Sequence, residues 1–126
     1  MNLTEHIEII RDCVFFRPVG KVSLLEAARL VTEAIKFAGD RQLPKLLVNT
    51  TELTGFPSPT LPERYFMTRE WAAAAQDYIR VVLVVPLKMI DPDKFGITVA
   101  RNAGMDVEVF ATESEALTWL ARKAGT

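Results

Sequence analysis

Three capping boxes, each following a short apolar segment, constrain the fold of this chain more than any other feature. They are formed by Ser23 with Glu26, Thr60 with Glu63, and Thr112 with Glu115. In a capping box the hydroxyl accepts a hydrogen bond from a backbone N–H of the first helical turn, and the glutamate accepts one from the N-cap N–H. Each pair therefore marks the start of a helix. Helices that alternate with apolar strands predict an α/β domain.

The apolar segments have the length and composition of strands. Residues 46–48 and 81–85 are solidly apolar, which is typical of strands covered by helices on both faces. Residues 107–110 predict a further strand. Residues 7–10 and 14–17 predict a hairpin that turns at Arg11 and Asp12.

A further helix is predicted between residues 81–85 and 107–110. Asp91 is expected as its N-cap and Pro92 as its first residue, with Gly104 at its end. Two sets of apolar residues are expected to face the core, one on this helix and one on the last: Phe95, Val99 and Ala103, and Ala116, Leu117 and Leu120. The predicted order is β-β-α-β-α-β-α-β-α, a mixed and mostly parallel sheet with an antiparallel N-terminal edge strand, in a single domain over residues 1–126.

Composition narrows the classes of function. The 126 residues are 49% hydrophobic and 25% charged, with a net charge of -1, so we expect no nucleic-acid partner. The longest apolar run, residues 79–90, is interrupted by Arg80, Pro86 and Lys88 and predicts no transmembrane segment. The N-terminus has no signal-like pattern, and Cys13 has no second cysteine to pair with. We therefore expect a cytoplasmic protein.

The residues that usually carry catalysis are sparse. His6 is the only histidine, so neither a two-histidine metal site nor a Ser-His-Asp triad is indicated. Cys13 has no CxxC partner, and the glycines form no phosphate-binding motif. We expect no catalytic residue, no metal and no cofactor, and hence a protein that is not an enzyme. One alternative stays open, an undetected small-molecule enzyme that uses the polar residues Asn49, Thr51, Thr54 and Arg64.

Several segments resemble the STAS family of sulfate transporters and anti-sigma-factor antagonists, and within it the stage II sporulation protein AA-like (SpoIIAA-like) branch. The similar segments are residues 20–35, 46–56, 90–104 and 107–120. The resemblance implies a SpoIIAA-like α/β fold. It also implies a non-catalytic binding or regulatory domain, because this branch is similar to CRAL-TRIO lipid-binding domains, with a small apolar ligand, a lipid or a protein as partner.

The resemblance also raises a phosphoswitch as an alternative function. In phosphoregulated STAS proteins an Asp-Ser pair precedes a helix, and a partner kinase phosphorylates the serine. The corresponding residues here are Pro57, Ser58 and Pro59. Ser58 is thus the candidate phosphoacceptor, but Pro57 replaces the acidic neighbour and Pro59 has no N–H to offer a phosphate. We therefore expect Ser58 to be an ordinary loop hydroxyl.

The region from Phe56 to Trp71 contains more large apolar residues than one helix stripe buries. Tyr65, Phe66 and Met67 are consecutive, so their side chains span about 200° around a helix. Such a surplus indicates a surface for a ligand or for a second copy of the chain in a homodimer. The predicted binding residues are Phe56, Ser58, Arg64, Tyr65, Phe66, Met67, Arg69 and Trp71.

Overall fold

The computed structural model describes residues 3–76 and 79–122. The strands are β1 (Ile7–Ile10), β2 (Cys13–Phe16), β3 (Gly20–Lys21), β4 (Lys45–Asn49), β5 (Leu53–Thr54), β6 (Arg80–Val84) and β7 (Asp106–Phe110). The helices are α1 (Leu24–Asp40), α2 (Leu61–Ala75), α3 (Phe95–Asn102) and α4 (Glu113–Leu120), and short 3-10 turns occupy Leu3–His6 and Leu87–Met89. The predicted alternation of strands and helices is confirmed.

The main sheet has the strand order β1-β2-β4-β6-β7. β1 and β2 are antiparallel, whereas β2, β4, β6 and β7 are all parallel. The register pairs Phe16 with Val48, Val48 with Leu83, and Leu83 with Val109. The mixed, mostly parallel sheet with an antiparallel N-terminal edge strand is therefore confirmed, and β6 lies inside the sheet as its solid apolar sequence predicts.

Both faces of this sheet are covered by helices. On one face, strand residues such as Val48 and Leu83 join a core with α1, α2 and α3. On the other face, Leu47 and Val82 pack with Ala116 and Leu120 of α4. Successive side chains of a strand point to opposite faces, so each central strand contributes to both cores. Each fully buried valine or leucine contributes roughly 1.5 to 3 kcal/mol of burial free energy.

The three capping hydroxyls act as predicted. Ser23 accepts from the N–H of Glu26, and Glu26 accepts from the N–H of Ser23, at the start of α1. The same reciprocal pair forms at the start of α2, and Thr112 accepts from the third N–H of α4. Loss of such a cap costs about 1 kcal/mol, so these local bonds fix where the helices begin.

The predicted start of α3 is wrong by several residues. Asp91 and Pro92 form a turn, closed by the Lys94 N–H donating to the Asp91 carbonyl, rather than the first turn of a helix. Lys94 then adopts a left-handed conformation, so the helix begins only at Phe95. Asp91 still caps the helix although it lies before the first turn, because its carboxylate accepts a hydrogen bond from the Phe95 N–H at 2.7 Å.

The core faces of the last two helices also differ from expectation. α3 buries Gly96, Ile97 and Ala100 in place of Phe95, Val99 and Ala103, because the helix packs through Gly96 against Thr68 of α2. In α4, Ala116 and Leu120 are buried as predicted. Leu117 is 41% exposed. The residues that face the sheet are Ala116 and Leu120, four apart on one side of the helix, and Leu117 lies beside that row.

Candidate functional site

A cavity of about 110 Å³ lies at the carboxyl end of the parallel strands, beneath α1, α2 and α3. Its floor is formed by strand residues and by residues that directly follow the strands: Thr50, Leu83, Val85 and Val109. The amino-terminal half of α1 supplies one wall, through Leu24, Ala27, Ala28 and Val31. In open α/β sheets, ligands bind outside the carboxyl ends of the strands, and this cavity occupies that position.

The remaining walls come from α2, α3 and two loops. Met67, Thr68 and Trp71 face the cavity from α2, and Gly96 and Ile97 face it from α3. The loops contribute Phe56, Pro59, Met89 and Ile90. The lining is therefore mostly apolar, and it is drawn from segments far apart in the sequence.

Trp71 holds two of these walls together. Its side chain is only 7% exposed, and its indole Nε1 donates to the backbone carbonyl of Ala28 at 3.1 Å. That carbonyl belongs to α1, so the bond joins α2 to α1 directly beside the cavity. A buried indole N–H needs such a partner, and here satisfying it fixes the width of the site.

Arg64 closes the mouth of the cavity between two loops. Its Nε donates to the Pro59 carbonyl at 3.1 Å, and its Nη2 donates to Ser58 Oγ at 2.9 Å. The same Nη2 donates to the Met89 carbonyl at 3.2 Å. One half-buried guanidinium therefore connects the loop before α2 to the loop after β6.

The loop before α2 is held at its other end by Gly55. This glycine has φ of 105°, and a Cβ there would lie 2.6 Å from the Val22 carbonyl oxygen. The close approach accompanies the short parallel pair of β3 and β5, in which Val22 N–H also donates to the Thr54 carbonyl. A residue with a side chain would strain this crossing, so glycine sets the path of the loop that carries Phe56.

Two other charged residues line the cavity, and both have partners. Asp91 caps α3, and Lys94 Nζ lies 3.1 Å from Glu108 Oε1. Burial raises the pKa of Glu108, but the Val109 N–H and the charges of Lys94 and Arg101 together outweigh it and lower that pKa below its ordinary value. Lys94 and Glu108 therefore form a charged pair at the rim.

The structure divides the predicted binding residues between two surfaces. Phe56, Arg64, Met67 and Trp71 line the cavity, and Ser58 lies at its mouth through its bond to Arg64. Tyr65, Phe66 and Arg69 lie instead on the outer face of α2.

The outer face of α2 is an apolar surface patch. Tyr65 is 42% exposed and Phe66 is 67% exposed, and their rings meet edge to face at 5.4 Å. The Arg69 guanidinium lies 6.0 Å from the Tyr65 ring centroid, and Leu61 is exposed at the start of the helix. α2 therefore has apolar residues on its inner and outer faces alike.

The predicted polar group of Asn49, Thr51, Thr54 and Arg64 does not form one site. Asn49 Nδ2 donates to Glu113 Oε2 at 2.7 Å, and its Oδ1 accepts from the N–H and hydroxyl of Thr51. Arg64 donates instead to Ser58 and Pro59 in the loop before α2 and to Met89 in the loop after β6. Thr54 is exposed in β5. The side chains are separated because Asn49 ends its strand pointing toward α4.

Asn49 belongs to a charged network at the start of α4. Arg17 donates to both carboxylate oxygens of Glu113, at 2.8 and 3.0 Å, and also pairs with Glu8 at 3.3 Å. The Arg17 bond is the main cause that lowers the pKa of Glu113, with Asn49 adding to it. The hydrogen bonds of Arg17 and Asn49 to Glu113 therefore connect the ends of β2 and β4 to the start of α4.

The histidine and cysteine lie apart from the cavity. His6 ends the first 3-10 turn, and its carbonyl accepts from the Arg17 N–H. Cys13 begins β2 and packs on the α4 side, where burial raises the pKa of its thiol to about 11. Within residues 3–76 and 79–122, no group of histidine, cysteine and carboxylate side chains is arranged to hold a metal ion.

Sequence reasoning missed most of the cavity lining, including Leu24, Met89, Ile90 and Ile97. The sequence around these residues has no feature that distinguishes them from ordinary core residues. One signal was present in the sequence: Thr50 lies just after one predicted parallel strand and Val85 is the last residue of another, and the carboxyl ends of such strands are the usual ligand position.

The similarity of this chain to known proteins lies in its structure. No protein-family profile matches it, and no curated protein matches it. Among solved structures, the NMR structure of the protein TM1081 aligns with a TM-score of 0.48 and 17% identity, covering 93% of this chain and 88% of that one. The unphosphorylated form of the anti-sigma factor antagonist SpoIIAA aligns with a TM-score of 0.44 and 22% identity, covering 90% of this chain and 94% of that one. Both likenesses concern the fold alone.

No helix in the described ranges is both long and apolar enough to cross a bilayer.

Proposed function

We propose that this chain is a non-catalytic domain that binds a small apolar ligand in the cavity beneath α1, α2 and α3. The observation that carries the proposal is the cavity itself, a preformed and mostly apolar space with a few polar groups at its mouth. Natural ligand sites have this composition, and they favour this end of a parallel sheet.

The size of the cavity limits the ligand. An apolar cavity of about 150 Å³ in another protein admits benzene. The space of about 110 Å³ here is smaller than that, so without rearrangement the ligand is limited to one small ring or a short branched chain. A larger lipid would require the Phe56 and Met89 loops to move apart, which would break the Arg64 bonds that join them.

The site is also well prepared for binding. The Trp71 to Ala28 bond fixes α2 against α1, and Arg64 fixes both loops, so few groups need to be ordered when a ligand enters. Preorganisation of this kind raises affinity without additional contacts.

The titratable groups near the site favour binding over catalysis. General acid–base catalysis works best when the catalytic pKa is near the working pH. The pKa of Glu108, which pairs with the cavity residue Lys94, is lowered and so lies away from neutrality. Lys94 and Asp91, which line the cavity, are used in an ion pair and a helix cap.

Native mass spectrometry of protein freshly purified from its own host tests this function. We expect a bound small molecule that dissociates on activation, and we expect Ala28→Leu to lose it because the added methylenes occupy the cavity. Ala73→Leu is the matched control, since Ala73 lies on the exposed side of α2. A folded Ala28→Leu variant that retains the same bound mass as the parent would contradict the proposal.

A further inference from the structure

We propose that the cavity selects apolar ligands that carry one carboxylate, and that Arg64 binds this carboxylate at the mouth. This inference rests on the proposed function and names the chemical class of its ligand. It follows from the hydrogen bonds that Arg64 makes, from those it leaves unmade, and from the charges around it.

The guanidinium of Arg64 is fixed but not saturated. An arginine has five N–H donors in a planar arrangement. The three bonds to Pro59, Ser58 and Met89 use the Nε hydrogen and both Nη2 hydrogens. Among the described residues, Nη1 donates to no protein acceptor, so its two hydrogens are available to a ligand oxygen at the mouth of the cavity.

The charge of Arg64 also lacks a protein counterion. Of the half-buried arginines, Arg17 pairs with Glu113 and Arg80 pairs with Asp106, each at 2.8 Å. Within residues 3–76 and 79–122, no carboxylate forms an ion pair with Arg64. The other cation at the cavity, Lys94, pairs with Glu108, a carboxylate that it shares with Arg101. The lining therefore carries two cations, Arg64 and Lys94, against the single carboxylate of Asp91, which accepts from the Phe95 N–H, and Arg64 is the cation without an ion pair.

A carboxylate fits this arrangement better than a neutral polar group. Hydrogen bonds from arginine to an ionised oxygen are shorter and roughly twice as strong as neutral ones. A carboxylic acid is ionised at neutral pH, so it supplies both the acceptor and the missing negative charge. The apolar part of the same molecule would then extend past Met67 toward Ile97 and fill the cavity.

Calorimetric titration of the parent protein with benzoate and with benzamide, at neutral pH and low salt, tests the inference. The two probes have nearly the same size and shape and differ in charge. We expect benzoate to bind roughly tenfold more tightly, which is about 1.4 kcal/mol, because hydrogen bonds to an ionised oxygen are stronger than those to a neutral one. Added salt should weaken benzoate and leave benzamide nearly unchanged.

Two variants of α2 test whether the preference for benzoate depends on Arg64. Arg64→Gln should lower the affinity for benzoate by roughly tenfold and leave that for benzamide unchanged. Arg69→Gln removes the same charge from the outer face of the same helix and should change neither. Because Arg64 also holds two loops, its replacement could disturb binding of both probes, in which case the ratio measured in the parent protein decides.

The outcomes separate this inference from the proposed function. If benzamide binds the parent as tightly as benzoate, the carboxylate inference is overturned while the cavity remains a ligand site. If benzoate, benzamide and toluene all fail to bind, the proposed function fails and the inference fails with it.

Discussion

Gly96 of α3 packs directly against Thr68 of α2. A Cβ placed on the glycine would lie 3.1 Å from Thr68 Cγ2 and 3.5 Å from Arg64 Cβ. Thr68 cannot turn away freely, because its hydroxyl donates to the Arg64 carbonyl at 2.6 Å. This contact sets the separation of α2 and α3, and both helices form walls of the cavity.

We therefore expect Gly96→Ala to destabilise the protein by about 1 kcal/mol. Overpacking costs roughly 1 to 3 kcal/mol, and the higher helix propensity of alanine offsets part of that cost. Adding Thr68→Ser should restore stability, since serine keeps the hydroxyl and lacks Cγ2. Denaturant unfolding of the parent, the two single variants and the double variant measures this coupling. Additive effects would show that the two residues do not limit the approach of the helices.

The Glu113 network predicts a dependence of stability on pH. The pKa of Glu113 is lowered in the folded protein, chiefly by Arg17, so its stabilisation is present above the unfolded pKa of about 4.3. It is lost as the pH falls through the lower, folded pKa. We expect Glu113→Gln to cost about 1 kcal/mol at pH 7 and progressively less in acid.

Unfolding free energies of the parent and Glu113→Gln, measured between neutral and acidic pH, test this dependence. Glu33→Gln is the control, because Glu33 is exposed on α1 and makes no ion pair within the described ranges. A difference between the parent and Glu113→Gln that stays constant as the pH falls would be inconsistent with the network as described.

Phe66→Asp should fold normally. Phe66 is 67% exposed on the outer face of α2, so the charge remains in water and the stability should change by less than about 0.5 kcal/mol. Ala72→Asp is the contrasting variant, because Ala72 is buried on the inner face and should not tolerate a charge. Thermal unfolding compares the two, and global unfolding of Phe66→Asp would place Phe66 in the core.

The same Phe66→Asp variant tests the predicted homodimer. If the outer face of α2 joins two copies, light scattering should show a dimer for the parent and a monomer for the variant. An identical mass for both proteins would exclude this patch as the dimer interface.

Ser58 should carry little or no phosphate in cells. The adjacent Pro59 has no N–H to donate to a phosphate. The carboxylate of Glu63 already occupies the N-cap of α2, where it accepts from the Thr60 N–H at 2.8 Å, so a phosphate would face a like charge. Phosphopeptide mass spectrometry of growing and starved cells measures the occupancy. Stoichiometric phosphoserine at 58 would favour the phosphoswitch over ligand binding.

The parts of the fold that the sequence predicts are those determined locally. A capping box such as Ser23 with Glu26 is contained within four residues. The burial of a strand such as 81–85 can be predicted from its own apolar residues. The start of α3 was missed because Asp91 and Pro92 suit a turn as well as a helix. Only the left-handed conformation of Lys94 decides between them.

The cavity could not be predicted residue by residue, because it forms only when distant segments meet. Leu24, Met67, Met89 and Ile97 lie on separate elements, and each has the sequence character of ordinary core. Consecutive large apolar residues did indicate α2 as unusual. Pattern alone could not assign Met67 to the cavity and Phe66 to the outer surface, since that requires the helix rotation set by Trp71 and its bond to Ala28.

We propose above all that the space beneath α1, α2 and α3 admits a small apolar molecule. Methyl NMR spectra recorded during titration with toluene test this binding most directly. We expect saturable shifts for the methyl groups of Val31, Met67 and Ile97, which line the cavity, and none for Leu120, which packs on the opposite face of the sheet. Shifts confined to exposed residues such as Leu61, or no saturable shift at any cavity methyl group, would contradict it.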